Sequence, residues 1–232
     1  VLIIALDTSD ARGSVASRRE GRDASVLLHE NSEDYSSWLL PAIAALSEGS
    51  GQLPQNADVF AVCTGPGSFT GLRVGLTTVK AWSEVYGRPI VGVSRLEAMA
   101  SRVAAEGYVA SCYDAQRGHV FGGLFQNENG TRTPLDSELV MSPDQFLDVV
   151  QSKCGTAPVH WISLDPDQIT KLHNWMDRER ASDSMTLCRP DLACSIAELA
   201  EQRARLDQFT DPLLLDVNYV RRSDAEIFWK DR

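Results

Sequence analysis

Three stretches of the chain place chemically useful residues at the ends of apolar runs. Leu2–Leu6 is a continuous aliphatic run that ends in Asp7-Thr8-Ser9, a carboxylate followed by two hydroxyls. Tyr108–Tyr113 is a second run of this kind and ends in Asp114. Between them, Thr64-Gly-Pro-Gly-Ser-Phe-Thr-Gly-Leu-Arg73 follows the apolar run Asp58–Cys63 and leads into helical spacing. A carboxylate that closes a buried strand can hold a magnesium ion or orient water in a phosphate-handling enzyme. It can equally build a turn through its own backbone. The N–H groups of a glycine-rich turn at a helix start can cradle an anion; the same glycines can simply let a helix leave a strand sharply and pack closely.

Familiar forms of that loop are excluded by spacing. No Lys follows a GxxxxG frame, so it is no Walker loop. The spacing Gly65, Gly67, Gly71 is one residue too long for the dinucleotide fingerprint, and Pro66 stands where a nucleophile elbow needs glycine. Five cysteines (63, 112, 154, 188 and 194) form no CxxC, and their odd number suggests neither a disulfide framework nor a zinc knuckle. Cys63 and Cys112 lie in apolar runs and read as buried thiols of a reducing, cytoplasmic compartment. Four histidines (29, 119, 160 and 173) include no HxxxH or HExxH, so no metal site and no Ser/His/Asp or Cys/His triad is expected.

Composition narrows the class further. The chain has 232 residues, 43% hydrophobic and 23% charged, which is ordinary for one or two globular domains with a substantial core. No apolar run approaches the roughly 20 residues that cross a bilayer, and no basic segment leads into an apolar one as a signal peptide would. The net charge is −10, with 22 Lys+Arg against 32 Asp+Glu. A chain that grips nucleic acid alone shows a basic stripe, and none is present. The clusters Arg18/Arg19/Arg22, Arg178/Arg180 and Arg221/Arg222 have acidic neighbours and read as solvated faces.

The elements that must position these groups follow from periodicity. Leu2–Leu6 is a buried strand, and Ser14–Ser17 and Val26–His29 continue it as an antiparallel meander. A helix spans about 35–48, with Leu39, Ile43 and Leu46 at helical spacing and Gly49 as its stop; Pro41 makes it start late or bend. The run at 58–63 is a strand, about 70–86 a helix ending at Gly87, 90–93 a strand, and 96–105 a helix capped by Ser94. Runs 108–113 and 120–125 are strands, 127–134 is a polar turn, about 143–151 is helical, and 191–206 is an amphipathic helix. The pattern of buried strand, Asp, small residues and strand occurs twice, at Asp7 and Asp114, as a duplicated α/β unit would leave it. The expected domains are 1–105, a smaller lobe over 106–190, and a C-terminal helix and tail, 191–232, packing back on the first lobe.

The second helix has Gly71 and Gly75 four apart beside Leu72, Leu76 and Val79. Stacked glycines let another element approach, and each costs roughly 1 kcal/mol of helix propensity, so a compensating contact is expected, either internal or between subunits. Trp38, Leu39 and Ile43 of the preceding helix can supply a facing ridge.

Several phrases together resemble the bacterial TsaB (YeaZ) family. They are Leu2-Ile-Ile-Ala-Leu-Asp-Thr-Ser9, Leu39-Leu-Pro41, Gly65-Pro-Gly-Ser-Phe-Thr-Gly-Leu-Arg-Val-Gly75 and Pro89-Ile-Val-Gly-Val-Ser-Arg-Leu-Glu97. Tyr113-Asp-Ala-Gln-Arg-Gly-His-Val-Phe121 and Asn218-Tyr-Val-Arg221 complete the set. The resemblance runs nearly end to end and is weakest over 127–190. Tyr35, Gln116, His119 and Val217 depart from the family's usual residues.

The resemblance implies an α/β, actin-like (acetate and sugar kinase-type) fold with two related lobes and a ribonuclease H-like motif. It implies a role in making N6-threonylcarbamoyladenosine at position 37 of tRNAs reading ANN codons. The expected role is a non-catalytic scaffold that binds a TsaD-like transferase as a heterodimer, with a TsaE-like ATPase in the assembly and tRNA met only indirectly. It further implies a homodimer through the two helices, which gives Tyr35, Trp38, Leu39, Ile43, Gly71, Leu72, Gly75, Leu76 and Val79 as the partner interface. Asp7, Thr8, Ser9, Gly65, Gly67 and Asp114 become vestigial nucleotide-binding loops, and no cofactor is expected. TsaD-like proteins carry an HxxxH after the strand equivalent to 90–93; here those positions hold Arg95 and Met99, which points to a pseudoenzyme. The rival reading is an actin-fold ATPase or phosphotransferase that uses Asp7 and Asp114. A peptidase lacks both a metal pair and a triad.

Overall fold

The computed structural model describes residues 1–29, 33–48, 51–176 and 182–220. The helix stop expected at Gly49 and the arginine pairs at 178/180 and 221/222 lie outside the described residues. The chain divides into two units: Val1–Ala98 with Pro190–Arg232, and Met99–Arg189.

The first unit is built on a five-stranded sheet of order β3-β2-β1-β4-β5. Its strands are β1 (Leu2–Asp7), β2 (Ser14–Arg19), β3 (Ser25–Leu28), β4 (Val59–Gly65) and β5 (Ile90–Ser94). The first three form an antiparallel meander, while β1, β4 and β5 run parallel. β1 is buried at every residue, as an aliphatic strand in the middle of a covered sheet must be. Helices α1 (Tyr35–Ser47) and α2 (Phe69–Tyr86) follow β3 and β4, and the short α3 (Arg95–Ala100) follows β5. α1 is continuous past Pro41; the carbonyl that loses its donor belongs to Ser37, which is exposed and open to water. α2 starts at Ser68, whose Oγ accepts the Gly71 N–H at 3.3 Å, and stops at Gly87 in the left-handed region with φ 63°.

α3 is shorter than the helix expected over 96–105. Beyond it the backbone tightens into i→i+3 turns, the Arg102 and Val103 N–H groups donating to the Met99 and Ala100 carbonyls at 3.1 and 3.0 Å. The carbonyls of Val103 and Ala105 then accept from the Asn127 side chain at 3.0 and 2.9 Å.

The second unit repeats the plan. Its sheet order is β11-β10-β6-β7-β8, with β9 paired to β7. The strands are β6 (Gly107–Gln116), β7 (His119–Glu128), β8 (Thr131–Pro134), β9 (Leu139–Met141), β10 (Val159–Ser163) and β11 (Ser184–Leu187). As with β1, the first strand pairs antiparallel with its successor and parallel with a later strand. Helix α4 (Pro143–Cys154), fixed by a Ser142/Gln145 capping box, and the single turn α5 (Asp167–Thr170) complete it. Residues 127–134, expected as a polar turn, instead complete a hairpin: Asn129 and Gly130 take φ 50° and 74°, and 131–134 pairs back on β7. The core gathers Phe146, Trp161 and Trp175 edge to face, and the Trp161 Nε1–H donates to buried Asp183 at 2.8 Å. Two copies of a ribonuclease H-like motif make this an actin-like α/β fold.

Helix α6 (Leu192–Ala204) belongs to the first unit. Its Ala193 N–H donates to Ser14 Oγ at 3.0 Å, and Arg18 reaches Glu201 at 2.7 Å. The following segment runs along the free edge of β5, where the Thr210 N–H donates to the Ile90 carbonyl at 2.8 Å. It then crosses to the glycine loop, where the Asn218 N–H donates to the Thr64 carbonyl at 2.7 Å.

Candidate functional site

The end of β1 and the glycine loop after β4 lie against each other. The Ser68 N–H donates to the Ser9 carbonyl at 2.6 Å, and the Thr8 hydroxyl donates to the Gly71 carbonyl at 2.7 Å. A Cβ on Gly71 would collide with the Thr8 carbonyl, one on Gly67 with the Ser9 carbonyl, and one on Gly75 would lie 2.5 Å from Thr8 Oγ1. The contact that compensates these glycines is therefore internal. Of the loop's N–H groups, those of Ser68 and Gly71 are taken by Ser9 and by the Ser68 cap.

Asp7 and Ser9 are buried in this corner. Asp7 Oδ1 accepts from the Ser9 N–H at 3.0 Å and from the Ser9 hydroxyl. Across from Asp7 Oδ2 lies the guanidinium of Arg95, a side chain with no solvent exposure at all: Nε stands 3.5 Å from that oxygen. Arg95 Nη1 is 3.2 Å from Asp10 Oδ2 in the β1–β2 turn, and Asp10 also pairs with Arg12 at 2.9 Å. Burial alone would raise the Asp10 carboxyl, but Arg95 and Arg12 outweigh it and hold it below its ordinary range. Burial, with Asp7 adding to it, pushes the Cys63 thiol up, and burial pushes Cys112 up to about 12, so both thiols stay protonated.

Tyr35, at the start of α1, donates its hydroxyl to the Asp10 carbonyl. Burial, together with the charge of Asp7, pushes this phenol up and keeps it a donor. His29 stacks on Tyr35 with centroids 4.4 Å apart and meets Trp38 edge-on at 5.0 Å. This aromatic group fixes the first turn of α1 to the corner.

Between α1 and α2 runs a groove of about 520 Å³, walled by Leu39, Leu40, Phe69, Arg73, Val74 and Thr77 among others. One of its walls is unusual for a surface helix. α1 carries no charged residue from Tyr35 to Ser47, and it exposes Leu40, Pro41, Ala44 and Ala45. Leu40 is 58% exposed. At the α2 end, the Arg73 guanidinium lies 3.7 Å over the Phe69 ring, and Tyr219 packs on that ring at 5.2 Å. A second hollow of about 440 Å³ shares Tyr35, Ser36, Thr70 and Val74 with the groove and is lined by Asp10, Glu33 and Asp34.

The residues expected at a partner interface divide accordingly. Tyr35 and Leu39 line the groove and Trp38 is half-buried beside it, whereas Ile43, Gly71, Leu72, Gly75, Leu76 and Val79 are buried within the chain. The glycine stripe is thus not the exposed surface, because it faces β1 and Thr8. Leu40, Phe69 and Val74, which the sequence reading passed over, stand on the groove instead. The absence of charge along 13 helical residues was the signal for them.

The side chain of Asp114, in the second unit, is bound up locally, while its backbone N–H donates to Asp165 Oδ2 at 3.1 Å. The two Asp114 carboxylate oxygens accept from the Gln116 N–H and the Gln116 side-chain amide, both at 2.8 Å, which holds the β6–β7 turn. Gln116 and His119, two departures from the family pattern, are exposed on that turn. Among the described residues, no group of three or more His, Cys, Asp or Glu side chains is arranged around a common metal position, and no helix is long and apolar enough to cross a membrane.

Comparison with known proteins gives the kinship of this fold. Residues 27–205 match the family model described as TsaD, tRNA N6-adenosine threonylcarbamoyltransferase. The tRNA threonylcarbamoyladenosine biosynthesis protein TsaB of Bacillus subtilis is 30% identical over 75% of this chain and 74% of its own length. The chain belongs to the TsaB (YeaZ) family. The TsaB protein of Escherichia coli is 28% identical over 70% of both chains. A solved structure from Pseudomonas aeruginosa, described as similar to peptidase YeaZ, superposes with a TM-score of 0.76 at 25% identity, covering 95% of this chain and 99% of that one. In this TsaB-family chain the buried guanidinium of Arg95 faces carboxylates, and Met99 is buried in the core. A guanidinium has no lone pair to offer a metal.

Proposed function

We propose that this chain acts in the biosynthesis of N6-threonylcarbamoyladenosine in tRNA as a non-catalytic, cytoplasmic scaffold. In this reading α1 and α2 dock a TsaD-like transferase as a heterodimer, a TsaE-like ATPase joins the assembly, and a second copy of this chain competes for the same groove. One observation carries the reading: α1 has no charged side chain and leaves Leu40, Pro41, Ala44 and Ala45 in water beside an apolar groove. A helix whose apolar stretch reaches round to its solvent side, as 38–46 does here, is ordinarily covered, and a docked partner supplies that cover for α1. Its kinship to TsaB supports the pathway. Arg95 on Asp7, and the glycine loop closed on Thr8 and Ser9, support the absence of chemistry at the β1 corner.

Leu40→Asp tests this directly. The charge sits on an exposed site, so the fold is unaffected, while association with the TsaD-like partner weakens by roughly a hundredfold or more, as loss of an interface anchor does. Light scattering and calorimetry read the association, and tRNA modification in a reconstituted system reads the function. Unaltered association and modification would sink the proposal, and loss of modification in Asp7→Asn with its complex intact would show chemistry in this chain.

A further inference from the structure

Among the described residues, Arg73 alone brings a charge to the lining of the α1–α2 groove. The α1 wall is uncharged from Tyr35 to Ser47, and the lining residues of α2 beside Arg73 are Phe69, Thr70, Val74, Thr77 and Thr78. The guanidinium is set in place: it lies 3.7 Å over the Phe69 ring, and its Nε–H donates to the Tyr219 hydroxyl at 3.3 Å. Tyr219 is held in turn, because the preceding Asn218 N–H donates to the Thr64 carbonyl. Arg12, Arg18, Arg95, Arg203 and Arg205 each face a carboxylate of this chain. Arg73 faces none among the described residues, although acidic groups outnumber basic ones by 32 to 22. Its Nη1 and Nη2 donors are therefore left to water on an exposed side chain. Covering the groove takes that water away. A cation that loses water without a counter-charge is costly, and both oxygens of one carboxylate match the planar fork of a guanidinium. Stacking on Phe69 fixes the plane of the fork beforehand, so less freedom is lost when it pairs.

We propose that the groove takes a protein helix whose apolar face is flanked by an Asp or Glu, and that this carboxylate pairs with Arg73. The apolar walls hold the helix, and Arg73 fixes its register and selects it from other apolar helices. The inference rests on the scaffold reading, in which the occupant belongs to the TsaD-like transferase. A second copy of this chain is the poorer match: its α1 has no carboxylate, and its α2 has one, Glu84, in the last turn.

The test mixes variants of the full chain with the TsaD-like transferase and reads association by calorimetry. Arg73 is exposed, so Arg73→Gln keeps its Tm within about 3 °C of the wild type. Its association is weaker by roughly thirtyfold, as when one member of a desolvated charge pair is removed. Arg73→Glu is weaker by about tenfold more, since like charges then meet. Arg73→Lys keeps the charge without the fork and falls between the wild type and Arg73→Gln. Tyr219→Phe keeps the ring and removes the acceptor that orients Arg73, which weakens association by about threefold. Raising sodium chloride weakens the wild-type complex and leaves that of Arg73→Gln nearly unchanged. The pairing is overturned if Arg73→Gln and Arg73→Glu bind the transferase as the wild type does while Leu40→Asp does not, a result that leaves the scaffold reading standing. It is overturned in favour of a second copy if Arg73→Gln and Glu84→Gln both abolish self-association in light scattering with transferase binding intact. It is overturned in favour of a phosphate contact if Arg73→Gln loses only tRNA binding. A wild-type chain that does not associate with the transferase overturns the scaffold reading and this inference with it.

Discussion

The strand that opens each sheet ends in an aspartate, and the two aspartates do different work. Asp7 closes β1 inside the protein, where its carboxylate faces a buried guanidinium and its neighbours Thr8 and Ser9 lie against three glycines of another segment. Asp114 sits near the end of β6 in the same topological place, partly exposed, and holds a two-residue turn through Gln116. The turn residues differ in the same way: Gly118 takes φ 74° with nothing within 4 Å of a would-be Cβ, whereas Gly71 is in a helix with the Thr8 backbone against it. A duplicated topology therefore does not duplicate the chemistry at its equivalent corners. The Asp7 side chain is held by long-range contacts and that of Asp114 by its own turn, although the Asp114 backbone N–H also reaches Asp165 Oδ2 at 3.1 Å.

The largest expected contrast is between the aspartates themselves. Asp7→Asn leaves the Arg95 charge buried with one carboxylate fewer and costs about 3 kcal/mol or more. Asp114→Asn keeps an acceptor on an accessible turn and costs about 0.5 kcal/mol. Urea melts of both variants check this, and equal losses would erase the distinction.

The glycines give the next contrast, with opposite causes. Gly71→Ala is destabilising by about 2 kcal/mol because a methyl has no room against the Thr8 carbonyl, even though alanine favours a helix. Gly118→Ala costs about 1 kcal/mol because φ is positive, although space is free. Adding Thr8→Ala does not relieve the first, since backbone is what is struck; relief in a double-mutant cycle would place the conflict in the side chain instead.

The smallest effect is on pH dependence. The folded Asp10 carboxyl lies below its ordinary 3.8, so its contribution to stability is complete above about pH 4 and disappears as pH falls through the lowered folded value. The stability gap between wild type and Asp10→Asn should therefore be larger at about pH 5 than at about pH 3, as melts at the two values would show. Asp136, also lowered, lies on the surface against Lys153, and raising the salt should reduce its share while leaving that of Asp10.

How far these features can be read from sequence depends on how local their causes are. The β1 run, the glycine stop at Gly87 and the Ser142 cap are visible because each depends on a few neighbours in the chain. Asn129-Gly130 was equally local: an Asn-Gly pair is a strong hairpin signal, and the strand after it was legible though read as a turn. The uncharged stretch from Tyr35 to Ser47 likewise marks its exposed apolar face in composition alone. The path of the chain past the third helix was not legible, because the carbonyls of Val103 and Ala105 are anchored by Asn127 from a distant strand after the helix has ended in i→i+3 turns.

The sequence by itself determined the two-fold repeat of strand and aspartate, the elements around it and the kinship to TsaB, since these rest on periodicity and on motifs contiguous in the chain. Only the tertiary structure decided what the motifs face. That the stripe of Gly71 and Gly75 receives Thr8 and not a partner, and that Arg95 lies on Asp7 and Asp10, depends on segments between about sixty and ninety residues apart meeting in space. Charge neutralisation and steric fit act across such distances through the fold, and neither leaves a trace in local spacing.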